Sequence, residues 1–281
     1  MAERVLIAGC GDLGRRVAQR LLARGDEVHA LRRTPPGDVS DGIRWHRGDL
    51  ADPASLARLP TRITQLVFAP TPDARDAAAY RAVFVDGLRN VFGALDPGRL
   101  QRVLLVSSSA VYGEHHGGWV DEATAPAPPG FNGRILLEAE HWLAAQPVPG
   151  VALRLAGLYG PGRLQLIERL RSGRATVPRA LPHWANRMHV DDAASAIAHL
   201  LALDDPQPLY LGVDDTPLPL DLLYDHLAAL AGAPRPAEGA SPAGVGSKRL
   251  CNARLRASGF VPAWPDARDG YATLLAKPYR N

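Results

Sequence analysis

The sequence predicts an α/β fold, a doubly wound parallel sheet with helices on both faces and a small C-terminal α/β lobe. Three observations carry the prediction. The apolar run Val5-Leu6-Ile7-Ala8 reads as a buried parallel strand. Gly9, Gly11 and Gly14 follow it at G-x-G-x-x-G spacing and lead into a helical stretch, Arg15 to Arg24. Short apolar strands then alternate with helical patterns through the first half of the chain. Such alternation implies right-handed crossovers and a parallel sheet.

The glycine run is the most informative stretch. Gly9 permits the tight turn after the strand, Gly11 lets a pyrophosphate approach the backbone, and Gly14 lets the helix pack on the sheet. The helix start, at Asp12 and Leu13, presents N–H groups and the positive end of a dipole to phosphate. Strand, loop and helix together make the opening of a Rossmann fold. The second strand, Glu27 to Leu31, ends at Arg32-Arg33-Thr34. A carboxylate at this turn would bind the ribose 2′-hydroxyl of NAD. Arginines stand there instead, and a guanidinium fork matches a 2′-phosphate. NADP is therefore expected ahead of NAD, with solvated loop charges as the alternative reading of the two arginines.

The remaining elements follow in order. Residues 35–42 form a polar turn, and Ile43 to His46 is a short strand closed by Gly48-Asp49-Leu50. Asp52-Pro53 starts a helix reaching Leu59, with proline at its first position. Gln65 to Phe68 is a strand opening into Ala69-Pro70-Thr71-Pro72. A long helix covers about residues 74–95, and Arg102 to Val106 is the next strand. Ligands of such a sheet bind beyond the carboxyl ends of its strands. That places Ala69 and Pro70, then Ser107 and Ser108, at the ligand edge. A helix spans 133–146 and a strand Val151 to Leu155. Helices at about 164–171, 191–203 and 218–231 and a strand at 209–212 complete the pattern, with a Pro/Gly/Ala-rich loop over 232–246. The expected domains are 1–158, a dinucleotide-binding domain to which about 186–212 returns, and 159–281, a smaller substrate lobe. In that lobe His183, Trp184, Arg187 and Arg163 are candidates for an anion or sugar pocket, or else surface groups.

Composition narrows the function. Hydrophobic residues make up 46% of the chain, enough for a sizeable core. The net charge of +3 is spread without runs of like sign, which argues against nucleic acid. Cys10 and Cys251 form no C-x-x-C, so no metal site is expected, and Asp191-Asp192 reads as a helix cap pair. No apolar run reaches membrane-spanning length and no leader is apparent. The expectation is a cytoplasmic protein without membrane association.

Several stretches together resemble one family: 9–14, Gly48-Asp49-Leu50, Ser107-Ser108-Ser109-Ala110-Val111-Tyr112-Gly113, 154–163 and Met188-His189-Val190-Asp191-Asp192-Ala193-Ala194. The chain resembles an atypical extended short-chain dehydrogenase/reductase of the epimerase/dehydratase superfamily, and its segment 247–260 resembles the YeeZ-like branch. The resemblance implies that Asp49 and Leu50 lie by the adenine. It implies that Ser108 matches the catalytic serine or threonine, and that the loop from Tyr159 to Gly162 flanks nicotinamide and substrate. It also implies a homodimer through the helices near 74–95 and 133–146, with a small-molecule substrate.

One departure matters more than the matches. The family places Tyr-x-x-x-Lys on the helix after the serine, where the tyrosine exchanges a proton and the lysine lowers its pKa. Here Phe131-Asn132-Gly133-Arg134-Ile135-Leu136 puts Asn132 at the tyrosine position and Leu136 at the lysine position. The lysines are Lys248 and Lys277, and four residues before them stand Gly244 and Thr273, so the pair occurs nowhere in the chain. Tyr112, Tyr159 and His189 are the candidate replacements, each with a packing or capping role as the competing reading. Two functions follow as expectations: an oxidoreductase or epimerase-like enzyme with Ser108 and Tyr159 as tentative catalytic groups, or a dinucleotide-binding redox sensor without turnover.

Overall fold

Seven strands form the central sheet. Their order is Leu209–Gly212, Gly150–Leu155, Arg102–Ser108, Gln65–Phe68, Arg4–Ala8, Glu27–Arg32 and Arg44–Arg47, in a computed structural model whose described residues are 2–37 and 39–276. The last five strands of that row pair in parallel register. Sequence order reverses between Arg4–Ala8 and Gln65–Phe68, so their carboxyl ends, leading into Gly9 and Ala69, flank the topological switch point.

The central strands are apolar because both faces are covered. Val5, Leu6, Ile7 and Ala8 are fully buried, as are Leu66, Val67 and Phe68. Two buried polar side chains at strand starts have a capping task. Gln65 donates to the Leu201 carbonyl at 3.1 Å, and Arg102 donates to Leu200, Leu201 and Asp204 carbonyls at 2.9–3.2 Å. These are carbonyls at the C-terminal end of the helix Val190–Ala202 and just beyond it, where no intrahelical donor remains.

Most predicted elements are present, with informative differences. The first helix begins at Asp12, earlier than the expected Arg15. The expected helix after Asp52 is one 3₁₀ turn, Pro53–Leu56, in which the Asp52 carboxylate accepts from the Ala54 amide at 3.1 Å. The long helix divides into Ala77–Arg81, a π-helical stretch Ala82–Asp86 and Gly87–Ala94. A Cβ on Gly87 would stand 3.0 Å from the Leu50 Cβ, so this glycine admits the turn that carries Leu50.

The chain divides into two compact units. The first holds the chain up to Val111 together with Gly130–Arg154 and Ala194–Tyr210; the second holds Tyr112–Pro129, Leu155–Ala193 and the chain from Leu211 onward. Segment 112–129 thus belongs to the second unit, not to the first as the expected boundary at 158 had it. The first unit buries a Ser107–Glu140–Arg154 network: Arg154 donates to both Glu140 carboxylate oxygens, at 2.6 Å through Nη2, and the Ser107 hydroxyl donates to the same carboxylate. The second unit packs helices Gln165–Arg171, Leu220–Leu230 and Ala267–Ala276 around Tyr159, Ile167, Leu223, Leu227 and Tyr271. Within the loop expected over 232–246, Ala237–Glu238 pairs with Thr176–Val177.

Candidate functional site

The glycine loop gives its three glycines three distinct surroundings. Gly9 has φ +85°, and a Cβ there would lie 2.3 Å from the Pro70 Cα, so only glycine fits. Gly14 faces the Gly9 carbonyl and the Ile7 side chain, where a Cβ would approach to 3.1 and 3.2 Å. At Gly11 a Cβ would meet nothing within 4 Å. The protein's own packing does not demand glycine there, and Gly11 lines a cavity. The helix Asp12–Arg24 begins at Gly11 without a side-chain cap, so its first amides are left for an anion.

A cavity of about 510 Å³ lies at this edge of the first unit, lined by Gly9, Gly11, Leu31, Arg32, Arg33, Asp49, Leu50, Pro70, Thr71 and Asp73, among others. Its floor is built from backbone. Gly11 N–H donates to the Gly9 carbonyl at 2.8 Å, and Ala69 N–H to Ala8 at 2.9 Å. The Asp49 turn is fixed by Ser55, which donates its hydroxyl to the Asp49 carbonyl and accepts from the Asp49 amide, and by Asn90, which donates to the Leu50 carbonyl at 2.8 Å.

Its cations differ. Arg33 makes a two-pronged pair with Asp73, one arm at 2.6 Å. The pairing raises the guanidinium above its ordinary value and holds the Asp73 carboxyl below the usual carboxylate range. Arg32, half-buried, makes no ion pair among the described residues. An adjoining recess is lined by Arg33, Arg47 and Arg58 with Thr34, Asp49 and Ser55. The sequence reading missed Arg47 and Arg58. Arg47 pairs with Arg32 in the parallel register of adjacent strands, a pairing that only a correct strand alignment would have revealed.

The other expected site residues have structural tasks. Leu13 is buried and the Asp12 carboxylate accepts from Arg16 at 2.9 Å, so neither side chain lines the cavity. Ser107, expected at the cofactor, is turned into the buried Glu140 network. The Ser108 hydroxyl accepts from the Ala110 amide at 3.2 Å, at the start of a 3₁₀ turn. Leu136 is buried and Asn132 half-buried on the helix Phe131–Ala144.

Tyr159, expected to exchange a proton, belongs to the second unit's core. It is fully buried, stacked on Tyr271 at 4.4 Å and edge-on to His189 at 5.1 Å, and its hydroxyl has no hydrogen-bond partner among the described residues. Burial drives that hydroxyl far above its ordinary range, which suits packing and not proton exchange. His189 likewise stacks on Trp264 at 3.8 Å and accepts from the Asp191 amide through Nδ1. The Tyr112 hydroxyl donates to the Asp121 carbonyl. Asp192, read as a helix cap, accepts from the Ala263 and Trp264 amides at 2.9 Å and pins that loop. His183 and Trp184 line a second cavity within the second unit, and Arg163 and Arg187 do not line it.

Protein YeeZ of Escherichia coli (strain K12) is 28% identical over 283 residues, covering 94% of this chain and 97% of that protein. A solved structure of a candidate NAD-dependent epimerase/dehydratase from Methylobacillus flagellatus superposes with TM-score 0.83 at 40% identity, covering 98% of each chain. MoeE5, solved in complex with UDP-glucose and NAD, superposes with TM-score 0.83 at 25% identity over 97% of this chain and 98% of that one. The family model described as the NAD dependent epimerase/dehydratase family matches residues 5–211, from the first strand through the last strand of the central sheet, and the chain belongs to that family.

Proposed function

We propose that the first unit binds a nicotinamide dinucleotide, with the pyrophosphate at Gly9–Gly14 and the adenosine end between the Arg32 turn and Asp49-Leu50. The observation that carries the reading is Gly11, a glycine whose missing Cβ leaves open space at an uncapped helix start. We read the preferred cofactor as NADP. Arg32 lines the cavity with no acidic partner among the described residues, and Arg47 and Arg58 add charge to the adjoining recess. Together these cations suit a 2′-phosphate. Arg33 contributes only when Asp73 releases it. Thermal shift with NADP and NAD tests both points: at about 100 Kd linkage expects roughly 2.7 kcal/mol of added stability. No shift with either overturns dinucleotide binding, and an equal or larger shift with NAD overturns the NADP preference. Arg32→Asp is expected to reverse the preference.

The bound dinucleotide would supply hydride chemistry in an oxidoreductase or epimerase-like reaction on a small carbonyl or sugar-type substrate. The protein's own share is to hold the cofactor and to orient a substrate oxygen, for which the Ser108 hydroxyl is the group retained. Absorbance at 340 nm with a panel of carbonyl and sugar-nucleotide substrates tests turnover. A second reading, a redox sensor without turnover, is favoured by the buried Leu136 and Tyr159, since neither exchanges a proton where it stands. Tight NADPH binding with no oxidation by any substrate of the panel supports the sensor. A homodimer through the helices near 74–95 and 133–146 is part of the same reading, and light scattering measures it.

A further inference from the structure

The second unit contains a cavity of about 710 Å³ built from three distant segments, 114–117, 181–184 and 241–249. Its most unusual wall residue is Arg249. The guanidinium lies over the rings of both Trp119 and Trp184, 4.9 and 4.7 Å from their centroids. Its Nε donates to the Gly117 carbonyl at 2.7 Å, and among the described residues no carboxylate pairs with it. Two rings within 5 Å restrain the fork, and with Nε bound to Gly117 the Nη groups have no carboxylate partner among the described residues and can meet a planar acceptor.

The charges around the cavity limit what that acceptor is. Glu114 lines it, but both oxygens are engaged: Oε1 accepts from the His116 amide at 2.6 Å and Oε2 from the Ser247 amide at 2.9 Å. Burial opposes ionisation of Glu114, yet these amides hold the carboxyl below its ordinary value. Burial lowers the pKa of His183 below its ordinary value, so it is neutral at pH 7, and His116 is exposed. Lys248, buried beside these groups, donates to the Gly246 carbonyl at 3.1 Å; burial lowers its pKa and Glu114 partly offsets this. With Lys248 balancing Glu114, Arg249 leaves one net positive charge. The rest of the lining includes Leu181, Pro182, Trp184 and Val245, which suit an apolar or ring-shaped body.

We propose that this cavity is a carboxylate site, which takes an organic acid by pairing its carboxylate with Arg249 and laying its apolar body against Trp184 and the neighbouring prolines. A nucleoside diphosphate fits worse, because its further negative charges would face Glu114 with no cation left to meet them. That this acid is the substrate of the dinucleotide-dependent reaction rests on the function proposed above; the binding site does not.

The test is tryptophan emission of the full chain, titrated with 3-phenylpropionate, with its neutral amide and with UDP. The acid is expected to saturate the signal, with the amide about tenfold or more weaker, the usual worth of a charged hydrogen-bonded partner, and UDP also weaker. Arg249→Gln is expected to lose about the same factor, with partial recovery in Arg249→Lys. Equal binding of acid and amide, no saturable signal with the acid, tighter binding of UDP than of the acid, or an unchanged affinity in a folded Arg249→Gln variant overturns the site. Should Arg249→Gln fail to fold, the acid–amide comparison on the unaltered chain decides. A saturable change in NADPH emission on adding protein reads the first unit separately: no such change overturns the dinucleotide reading and leaves the carboxylate site standing.

Discussion

The two cavities are built on opposite principles. The first unit's is shaped by backbone: a glycine in a left-handed conformation, a proline Cα pressed against it and an uncapped helix start. The second unit's is shaped by side chains, an arginine against two tryptophans and a carboxylate tied to two amides. Backbone surfaces recognise what phosphates share, whatever is attached to them. Side-chain surfaces discriminate, because each charge and ring must be matched. On the two proposed readings, the backbone-built cavity suits a phosphate-bearing cofactor and the side-chain-built one a ligand matched group by group.

The largest expected effect breaks the buried ion-pair frame of the first unit. Arg154→Met leaves Glu140 buried and uncompensated, and is expected to cost about 3–5 kcal/mol in denaturant unfolding. A change below about 1 kcal/mol would mean that Glu140 is neutral or hydrated in the native state. This network lies wholly in the first unit, so 3-phenylpropionate titration of whatever folded protein remains separates damage to the frame from damage to the second cavity.

A pair of glycine variants sharpens the backbone half of the comparison. Gly9→Ala meets the Pro70 Cα and adopts a strained φ, with at least about 1–3 kcal/mol of strain before the clash is counted. Gly11→Ala meets no protein atom, so its unfolding midpoint is expected to stay near that of the unaltered chain while NADPH affinity falls tenfold or more. If both variants lose stability equally, or if Gly11→Ala keeps full affinity, the open space at Gly11 is not the phosphate position.

How much of each cavity was legible in the sequence follows from the same contrast. Backbone sites need particular residues at fixed short spacing, and the glycines at 9, 11 and 14 announced theirs. The strands were legible too, because burial on both faces leaves continuous apolar runs such as Val5–Ala8 and Leu66–Phe68. Side-chain sites assemble from distant segments. Nothing in the spacing of Trp119, Trp184 and Arg249 brings them together, and the loop over 232–246 read as featureless. Ser107 and Tyr159 were misplaced for a related reason. Sequence position puts them near a strand's ligand end, but only packing decides whether a side chain turns to the ligand edge or into the core.

A comparable effect, dependent on pH, concerns the second unit's interior. Asp214 is buried, its Oδ2 has no hydrogen-bond partner among the described residues, and burial above all pushes its carboxyl up to about 8. A folded-state value above the unfolded one means stability that is present below about pH 4 and lost as pH rises towards 8, with a slope of at most about 1.4 kcal/mol per pH unit. Asp214→Asn is expected to flatten that decline while matching the unaltered chain near pH 4. A parallel decline in both proteins would place the titration elsewhere.

The smallest effect, and the one closest to function, is at the rim of the first cavity. Arg33 and Asp73 hold each other across exposed positions, and such pairs are screened and weak. Any 2′-phosphate approaching Arg33 competes with the carboxylate already bound there, and Asp73 itself repels the phosphate. NAD carries no phosphate at that point and meets neither penalty. Asp73→Asn frees Arg33 and removes the repulsion, so NADP affinity is expected to rise about threefold, the scale of an exposed ion pair, with NAD affinity unchanged. Added salt should narrow the gap between the two proteins, because screening weakens the pair and the repulsion alike. A rise for NAD equal to that for NADP would show that Asp73 acts on the whole dinucleotide and that the 2′-phosphate is read by Arg32, Arg47 and Arg58 alone.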